Sequence, residues 1–431
     1  MFPGVLSKQF LDEFNRYGIV EPRKFVIDLA ACHGTWLVTI DGQSVMDWAG
    51  YYGSRLLSHN HPSYTDPEFQ RKILFAATNK VANPDFVTME LIEYYRLLHS
   101  IAPKCITNPN LRVYTVNSGA EACENALKYC VNKWYHHNVK SSKLPRFMSF
   151  RGGFHGRTVY ALHVTDMPHH SIATNGFHEL ICEQPVWETF PNKNLDSINA
   201  SLISIEESLK VHDNLAGIIV EPMQGAGGHN VTSPEFFRKL SELAYQYEVP
   251  LIFDEVQTAG GQCGTIWMCD QFDLPHSPTC VVSAKKFGCG VVYMNEQVCD
   301  TGVLDSTWSG HIVDMVRLVH EFDVIRKNRL IEDVPRKAQC LIEGLQKLQS
   351  TYPVVSNIRG VGLYQGFSLP TRATKDTFIR HALQDESLLL LGAGTDTIRF
   401  RPNICITESD INLLLEKLER LLASLCANKL G

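Results

Sequence analysis

Two short apolar runs that end abruptly in charged side chains constrain the fold of this chain most. The first run, residues 250–254, ends at Asp254, and the second, residues 281–285, ends at Lys285. A buried strand of a parallel sheet has this pattern, because both of its faces are covered and its carboxyl end opens at the sheet edge. Each run therefore predicts a buried parallel strand that opens into a site.

From Leu111 onward the sequence alternates between strand-like and helical segments. The strand-like segments are residues 111–116, 146–150, 215–220, 249–253 and 280–282. Such alternation predicts an α/β fold with a mostly parallel, doubly wound sheet. In an open sheet of this kind ligands bind beyond the carboxyl ends of the strands, so we expect the site there.

The 431 residues divide into three predicted parts. Residues 1–65 form an N-terminal segment with a helix and a hairpin, whose turn is indicated by Asp41 and Gly42. Residues 66–310 form the large α/β domain. Residues 311–431 form a smaller α+β domain that ends in an amphipathic helix and packs with the N-terminal segment.

Composition excludes several classes of partner. A net charge of −6 gives no reason to expect nucleic acid or an anionic membrane as partner, and no apolar stretch approaches the roughly 20 residues that span a bilayer. The thirteen cysteines contain no CxxC pair, and we detect no signal peptide, so we expect reduced thiols and a cytoplasmic protein. Two histidine pairs, at 59/61 and 169/170, lack other ligands at metal-binding spacing, and we expect no metal site.

A carboxylate at one strand end and a lysine at a later one match the needs of pyridoxal 5′-phosphate. The Lys285 amine can form a Schiff base with this cofactor, and the Asp254 carboxylate can hold the pyridine nitrogen protonated, so that the ring acts as an electron sink. Taken singly, an Asp-Glu pair after a strand is more often a magnesium site or helix cap, and a Lys-Lys pair is usually a solvated turn. Together they make a cofactor site the leading interpretation.

Other strand exits add to this interpretation. A strand is followed by a helix that begins with Ser118, Gly119 and Ala120. Small residues and free backbone amides at a helix N-terminus favour the binding of an anion. Taken alone, however, such a segment is more often an ordinary capped helix. Phe154, between glycines, is placed to stack on a flat ring or to belong to the core.

Two arginines are candidate carboxylate clamps. Arg157 follows the Phe154 segment and Arg399 lies in an apolar stretch near the C-terminus. Guanidinium groups bind carboxylates bidentately, but a structural ion pair is about as frequent an explanation for either arginine alone.

In their joint order these motifs resemble the class III pyridoxal-phosphate aminotransferases of fold type I, over residues 26–422. Within the family, the lysine 6-aminotransferases and their relatives, the 4-aminobutyrate aminotransferases, are the most similar. The stretches that carry the resemblance are residues 124–128, 253–258, 306–308, 314–317 and 398–402.

The resemblance implies a role for each candidate residue. It makes Lys285 the Schiff-base lysine, because the family has a small residue before that lysine and Ala284 supplies one, whereas Lys286 lacks it. It implies that Asp254 pairs with the pyridine nitrogen of the cofactor. The other cofactor contacts it implies are Gln257 on the phenolic oxygen, Val256 and Phe154 on the ring faces, and Ser118, Gly119 and Ala120 at the phosphate. Thr307 of a second subunit joins the phosphate, which implies a homodimer with shared sites.

The resemblance also assigns the substrate's carboxylates. Arg157 takes the carboxylate far from the reacting amine, and Arg399 takes the α-carboxylate of 2-oxoglutarate or glutamate. In the lysine and 4-aminobutyrate enzymes a glutamate covers the arginine that matches Arg399. This chain has Ala226 in that position, so Arg399 must stay bare, find another acid or meet a carboxylate in both half-reactions.

We therefore expect an ω-aminotransferase whose leading substrates are L-lysine and 2-oxoglutarate. The alternatives are a 4-aminobutyrate, ornithine or specialised-pathway aminotransferase. The alternative from a different functional class is a non-catalytic protein that kept the fold and lost turnover. Its sequence would not need Lys285, Asp254 and Gln257 together.

Overall fold

The computed structural model describes residues 2–139, 142–167, 182–300 and 302–427, so that His169 and His170 lie outside the described residues. The described residues form two compact units. One combines Met1–Pro67 with Asn328–Gly431, and the other is Glu68–Lys327. The three-part division at residues 65 and 310 stays a prediction.

The helices and strands of the described residues are numbered here in chain order. The α-helices of five or more residues are α1 (Val5–Phe14), α2 (Pro67–Thr78), α3 (Met89–Ser100), α4 (Gly119–His137), α5 (Val159–His163), α6 (Leu195–Val211), α7 (Pro234–Gln246), α8 (Ile312–Lys327), α9 (Val334–Thr351), α10 (Arg372–Glu386) and α11 (Glu408–Cys426). The strands are β1 (Trp36–Val38), β2 (Ser44–Asp47), β3 (Arg112–Val116), β4 (Arg146–Phe150), β5 (Val186–Glu188), β6 (Leu215–Val220), β7 (Met223–Gln224), β8 (Asn230–Val231), β9 (Leu251–Asp254), β10 (Cys280–Ser283), β11 (Gly290–Met294), β12 (Ser356–Val361), β13 (Tyr364–Ser368), β14 (Leu388–Leu389), β15 (Leu391–Ala393) and β16 (Thr397–Arg399). Among these residues no helix combines the length and the apolar character that a membrane crossing requires.

The unit Glu68–Lys327 is built on a seven-stranded sheet. Its strands lie in the order β3-β11-β10-β9-β6-β4-β5. Six of the seven run parallel, and β11 is antiparallel to both of its neighbours. The predicted α/β class with a mostly parallel sheet is confirmed. The segment that forms β11 was absent from the predicted strands; it returns directly after β10 as the second arm of a hairpin.

Burial explains why the central strands carry continuous apolar runs. Every residue of β6, β9 and β10 is buried, so neither face of these strands can carry solvated side chains. Helix α4 covers the sheet with one apolar face, and its Ala126, Leu127 and Cys130 join the same core cluster as strand residues Ile219 and Ile252. Because the parallel strands share one direction, their carboxyl ends open at a common edge.

The unit formed by the two terminal parts has two small sheets. In the first, β1 and β2 form the antiparallel hairpin that Asp41 and Gly42 predict, and β14 adds in parallel. Gly42 adopts a φ of +77°, which the tight turn requires. Asp41 also caps α1, because its carboxylate accepts hydrogen bonds from the backbone amides of Leu6 and Ser7.

The second small sheet has the order β12-β13-β16-β15 and is antiparallel throughout. Helix α11 begins with a capping box, in which Thr407 and Asp410 each accept a hydrogen bond from the other's backbone amide. Strand β16 ends at Arg399, one of the two predicted carboxylate clamps.

Candidate active site

Asp254 stands at the carboxyl end of β9, where three groups hydrogen-bond to its carboxylate. His155 Nδ1 lies 2.7 Å from Oδ2, and the Cys123 thiol donates to the same oxygen over 3.3 Å. The amide of Val256 donates to Oδ1 over 3.0 Å. Since donors from three segments engage both oxygens, the orientation of the carboxylate is set by the protein itself.

The side chains of Cys123, His155 and Asp254 are also close enough together to hold a metal ion, with ligand atoms within 4.8 Å of one another. Their direct hydrogen bonds engage the protons and lone pairs that would have to be given up to an ion. We therefore interpret Cys123 and His155 as supports of Asp254.

Glu221, directly after β6, is a second buried carboxylate beside this group. Its Oε1 accepts the amide of Phe154 and its Oε2 the amide of Gly225, both over 2.9 Å. Burial raises the pKa of Glu221 to about 7; the His155 imidazole works against this shift and the Asp254 carboxylate adds to it. Glu221 therefore joins the loop that carries Phe154 to the glycine-rich loop after β7.

The two adjacent lysines have different environments. Lys286 is buried, and its Nζ donates a 2.7 Å hydrogen bond to the backbone oxygen of Gln257. Lys285 is half-buried and has a φ of +49°. A non-glycine residue in the left-handed region carries strain, and such strain clusters at functional sites. Because Lys286 holds the Gln257 segment in place, Lys285 is the better candidate for the reactive amine.

The N-terminus of helix α4 meets the ends of β9 and β10. Ser118 caps the helix through its Oγ, which accepts the amide of Glu121 over 3.2 Å. A Cβ on Gly119 would lie 2.9 Å from Val256 Cγ1 and 3.3 Å from the Cβ of Ala284, so this position has no room for a side chain. The amides of the first helical residues have no intrahelical partner, which makes this end a site for an anion.

The loop after β4 brings an aromatic ring to the same edge. Phe154 is half-buried, and the Arg157 guanidinium lies 5.8 Å from the centroid of its ring. Gly156 packs on the start of α4, where a Cβ would approach Ala120 Cβ to 2.7 Å. Arg157 is exposed, as a residue that binds a diffusing carboxylate must be before binding. Its side chain is therefore available from solvent.

The glycine-rich loop, residues 224–228, is tied to the same region. Gln224 Nε2 donates to the backbone oxygen of Arg151 over 2.7 Å. Gly227 packs on Gly152 so closely that a Cβ would lie 2.1 Å from its oxygen. Between these fixed points Ala226 is half-buried, so part of its surface faces solvent.

Thr307 and Arg399 are the two remaining predicted residues. Thr307 is exposed, and the residue before it, Ser306, accepts a 3.1 Å hydrogen bond from Asn117, which directly precedes the Ser118 cap. Arg399 belongs to the other unit, where it is buried at the end of β16. The roles of Thr307 and Arg399 stay predictions.

The residues of Glu68–Lys327 fit pyridoxal 5′-phosphate. An anionic phosphate needs a helix N-terminus without bulky side chains, which Ser118, Gly119 and Ala120 provide. A pyridine nitrogen needs an oriented carboxylate, which Asp254 provides. The covalent link needs a lysine close to both, and the contact between Gly119 and Ala284 brings the residue next to Lys285 against the phosphate cradle.

Comparison with known proteins decides the family. The family model "Aminotransferase class-III" matches residues 18–422 of this chain. The chain is a class III aminotransferase. It is therefore a transaminase that uses pyridoxal 5′-phosphate, as the resemblance in the sequence implied, and its substrates are small molecules, an amino donor and an oxo acid.

Curated relatives of this aminotransferase agree with that assignment. An "L-lysine-epsilon aminotransferase" of Mycobacterium bovis is 32% identical over 419 residues, covering 91% of each chain. The protein of that name from Amycolatopsis lactamdurans is 30% identical over 437 residues, covering 95% of this chain and 94% of the relative. The mitochondrial 4-aminobutyrate aminotransferase of Mus musculus is 27% identical and covers 98% of this chain and 89% of the relative.

Solved structures show the same fold. The structure entitled "Lysine aminotransferase from M. tuberculosis in the internal aldimine form" superposes with a TM-score of 0.88 at 29% identity, covering 97% of this chain and 99% of that one. An ornithine aminotransferase from Toxoplasma gondii has a TM-score of 0.82 at 20% identity, covering 98% of this chain and 96% of that one. The predicted fold type is confirmed.

Four residues of the site, Cys123, His155, Glu221 and Lys286, were given no role from the sequence. His155 and Glu221 stand in motifs that drew attention for their neighbours, and Lys286 was considered only as the rejected alternative to Lys285. Glu221 could have been noticed as a charged residue directly after a buried strand. His155 could have been noticed as the residue directly after Phe154. No local pattern shows that His155 contacts Asp254 or that Glu221 binds the amide of Phe154, because these contacts join segments far apart in the chain.

Proposed function

We propose that this aminotransferase moves the 6-amino group of L-lysine to 2-oxoglutarate, giving 2-aminoadipate 6-semialdehyde and L-glutamate. The observation that carries the proposal is the likeness, over nine-tenths of the chain, to proteins named L-lysine-epsilon aminotransferase. A 4-aminobutyrate aminotransferase is the second candidate, and the 27% identity to the mitochondrial 4-aminobutyrate aminotransferase of Mus musculus is what favours keeping it.

Lys285 has two tasks in this proposal. When bound, pyridoxal 5′-phosphate withdraws electrons from the carbon that carries the reacting amine. The Lys285 amine would hold the cofactor covalently between turnovers. When free, Nζ of Lys285 would move the proton between the substrate carbon and the cofactor carbon as general acid and base. Lys286 supports the site by holding the backbone of Gln257.

Around the ring, each residue acts by position. Asp254 would hold the pyridine nitrogen protonated, and the hydrogen bond with His155 keeps the carboxylate oriented. Gln257 would bind the phenolic oxygen. Phe154 and Val256 would contact the ring faces, and both are fixed through their amides, which donate to Glu221 and Asp254. Residues 118–120 at the start of α4 would hold the phosphate.

The substrate's charges fall to the two arginines. Arg157, exposed beside Phe154, binds the carboxylate far from the reacting amine. Arg399 binds the α-carboxylate of 2-oxoglutarate or glutamate, the role that the family resemblance implies. Lysine presented by its 6-amino group has no carboxylate near the reacting carbon, so its half-reaction leaves Arg399 without that partner.

The donor is tested by following half-reactions with a panel of amines. Purified protein carrying its cofactor absorbs in the visible range, and a true donor bleaches this band in a single turnover. L-lysine, 4-aminobutyrate, L-ornithine and L-glutamate should be compared by rate constant at equal concentration. The proposal requires lysine to be the fastest of the three ω-amines. If 4-aminobutyrate or ornithine reacts faster, the lysine assignment is wrong while the aminotransferase assignment stands.

We also infer a homodimer in which Thr307 completes the phosphate site of the second copy. The support is the exposure of Thr307 on a loop that is itself held through Ser306 and Asn117. Thr307→Ala should weaken phosphate retention, and dilution should release cofactor and activity together. Light scattering alongside the assay checks this. A monomer with full activity would contradict the shared site.

A further inference from the structure

Cys105 and Cys269 bring two thiols together outside the catalytic constellation. The Cys105 thiol points at the Cys269 sulfur over 3.4 Å. Cys105 is partly exposed, whereas Cys269 has no exposed surface. The amide of Cys105 also donates to Asp270 Oδ1 over 3.2 Å, so the two segments are already held side by side. The pair therefore consists of one thiol that a small reagent can reach and a second thiol directly behind it.

The Cys269 segment is hydrogen-bonded to the strand end that carries Asp254. Residues Met268–Gln271 form a short 3₁₀ turn, and the amides of Met268 and Cys269 donate to the two oxygens of Glu255 over 3.0 and 2.6 Å. Glu255 is the residue between Asp254 and Val256. Burial raises the pKa of Glu255, which means that its ionised form depends on donors such as these two amides.

We propose that Cys105 and Cys269 form a reversible disulfide by exchange with a low-molecular-weight disulfide, and that this bond loosens the segment Asp254–Gln257 that holds the cofactor. The cofactor site and the dithiol share Glu255. A change in the position of Cys269 therefore reaches Asp254 through one hydrogen-bonded side chain.

The exchange takes place in two balanced steps. The Cys105 thiolate attacks one sulfur of the reagent, whose S–S bond breaks, and the departing thiolate takes up a proton. The Cys269 sulfur then gives up its proton and attacks the Cys105 sulfur of the mixed disulfide, and the second reagent thiolate departs and is protonated. The two cysteines are oxidised to a disulfide, and the reagent is reduced to two thiols.

The order of these steps follows from burial. Burial and the neighbouring Cys105 raise the pKa of the Cys269 thiol, so this sulfur is a poor first nucleophile, and no reagent can reach it. Cys105 is accessible and must react first. The Asp270 carboxylate, whose ligand atom lies within 4.8 Å of both sulfurs, offers an acceptor for the Cys269 proton.

Formation of the disulfide requires a movement of the two cysteines that we expect to affect the cofactor site. Sulfur atoms 3.4 Å apart must approach to about 2.05 Å in a disulfide. In the proposal this shift moves the turn Met268–Gln271, whose amides bind Glu255. Misplacement of a catalytic group by about 1 Å can cost about 10²-fold in rate. We expect the oxidised protein to lose at least about tenfold in turnover and to release its cofactor on desalting.

The test uses the full chain with bound cofactor, treated with 2-hydroxyethyl disulfide and then with dithiothreitol. Peptide mapping by mass spectrometry should find a bond between the peptides of Cys105 and Cys269, and dithiothreitol should restore both cofactor retention and turnover. Cys105→Ser should retain normal turnover before treatment and resist the reagent. Cys426→Ser, which removes an exposed cysteine elsewhere, should respond as the natural chain does.

Three outcomes would overturn the proposal. One is the absence of a 105–269 bond after treatment, and another is a mapped bond that leaves cofactor retention unchanged. The third is protein that contains zinc and whose two thiols react only after a chelator is added, which would make Cys105, Cys269 and Asp270 a metal site. Cys269→Ala provides a second variant, with its thermal unfolding measured to separate a folding defect from resistance to the reagent.

Discussion

His155 Nδ1 lies 2.7 Å from Asp254 Oδ2, and only 1% and 4% of the two side chains are exposed. A buried carboxylate needs hydrogen-bond donors, and here they come from the loop after β4, from α4 through Cys123, and from the Val256 amide. The cost of placing a charge at this strand end is thus offset by groups that also fix its direction. The protein therefore orients this carboxylate before catalysis begins.

The first prediction concerns the charge of Asp254. Asp254→Asn should still bind the cofactor but lose turnover by on the order of 10²-fold, because a neutral amide cannot hold the proton on the ring nitrogen. Single-turnover kinetics and the absorbance of bound cofactor measure the two effects separately. His155→Asn, which leaves the carboxylate in place, should have a smaller effect. Turnover of Asp254→Asn at the rate of the natural chain would rule out the ring-nitrogen role.

The second prediction separates the adjacent lysines. Lys285→Ala should abolish transamination and leave the fold intact, because loss of the acid–base group alone costs about 10² to 10⁴ in rate. Lys286→Ala should retain part of the turnover, since Lys286 acts through the backbone of Gln257. The absorbance of the covalently bound cofactor should disappear only in Lys285→Ala. A reversal of these results would show that the reactive amine is on Lys286.

The local pattern of the sequence was enough to predict the central strands. The runs that end at Asp254 and Lys285 form β9 and the exit of β10, because residues buried on both faces must be apolar wherever they occur. The antiparallel β11 was missed because strand direction is set by pairing with β3 and β10, and no periodicity within residues 290–294 encodes it.

The supports of the site were hidden for the same reason. His155 and Asp254 are 99 positions apart and Lys286 reaches the backbone of Gln257 across 29, so neither contact is visible in a window of neighbouring residues. Glu221 could be seen as a charge at a strand end, but its shifted pKa depends on complete burial beside His155 and Asp254. These contacts and this burial arise from tertiary packing, which a local sequence pattern does not encode.

The third prediction concerns stability and pH. Burial raises the pKa of Glu221 from 4.5 to about 7, so between these values the folded chain keeps a proton that the unfolded chain has released. Stability therefore falls as the pH rises through this window, by up to about 3 kcal/mol. In Glu221→Gln the fall should be smaller by that amount. Thermal unfolding from pH 4.5 to 8 measures both slopes.

A matched control for Glu221→Gln is Glu207→Gln, which changes an exposed glutamate on α6. Its slope should equal that of the natural chain. The comparison rests on slopes and not on absolute stability, because Glu221→Gln also weakens the hydrogen bonds from Phe154 and Gly225. Equal slopes in all three proteins would mean that folding does not raise the pKa of Glu221.

The last prediction concerns Ala226 and the selection of donors. The resemblance has Arg399 bind the carboxylate next to the reacting amine, and Ala226 brings no carboxylate of its own to compete for it, so glutamate should be a relatively good donor and simple ω-amines poorer ones. Ala226→Glu should neutralise Arg399 and raise the rate with lysine relative to glutamate by about tenfold, equivalent to about 1.4 kcal/mol. Residue 226 is half-buried in a glycine-rich loop, so part of its surface already faces solvent.

Three variants decide whether charge is the cause. Ala226→Gln matches glutamate in size without its charge and should leave the ratio of lysine to glutamate rates near that of the natural chain. Arg399→Ala should impair the half-reaction with 2-oxoglutarate far more than that with lysine, because only the oxo acid presents a carboxylate beside the reacting carbon. An unchanged ratio in Ala226→Glu, together with normal use of 2-oxoglutarate by Arg399→Ala, would mean that the arginine and its switch have been placed on the wrong residues.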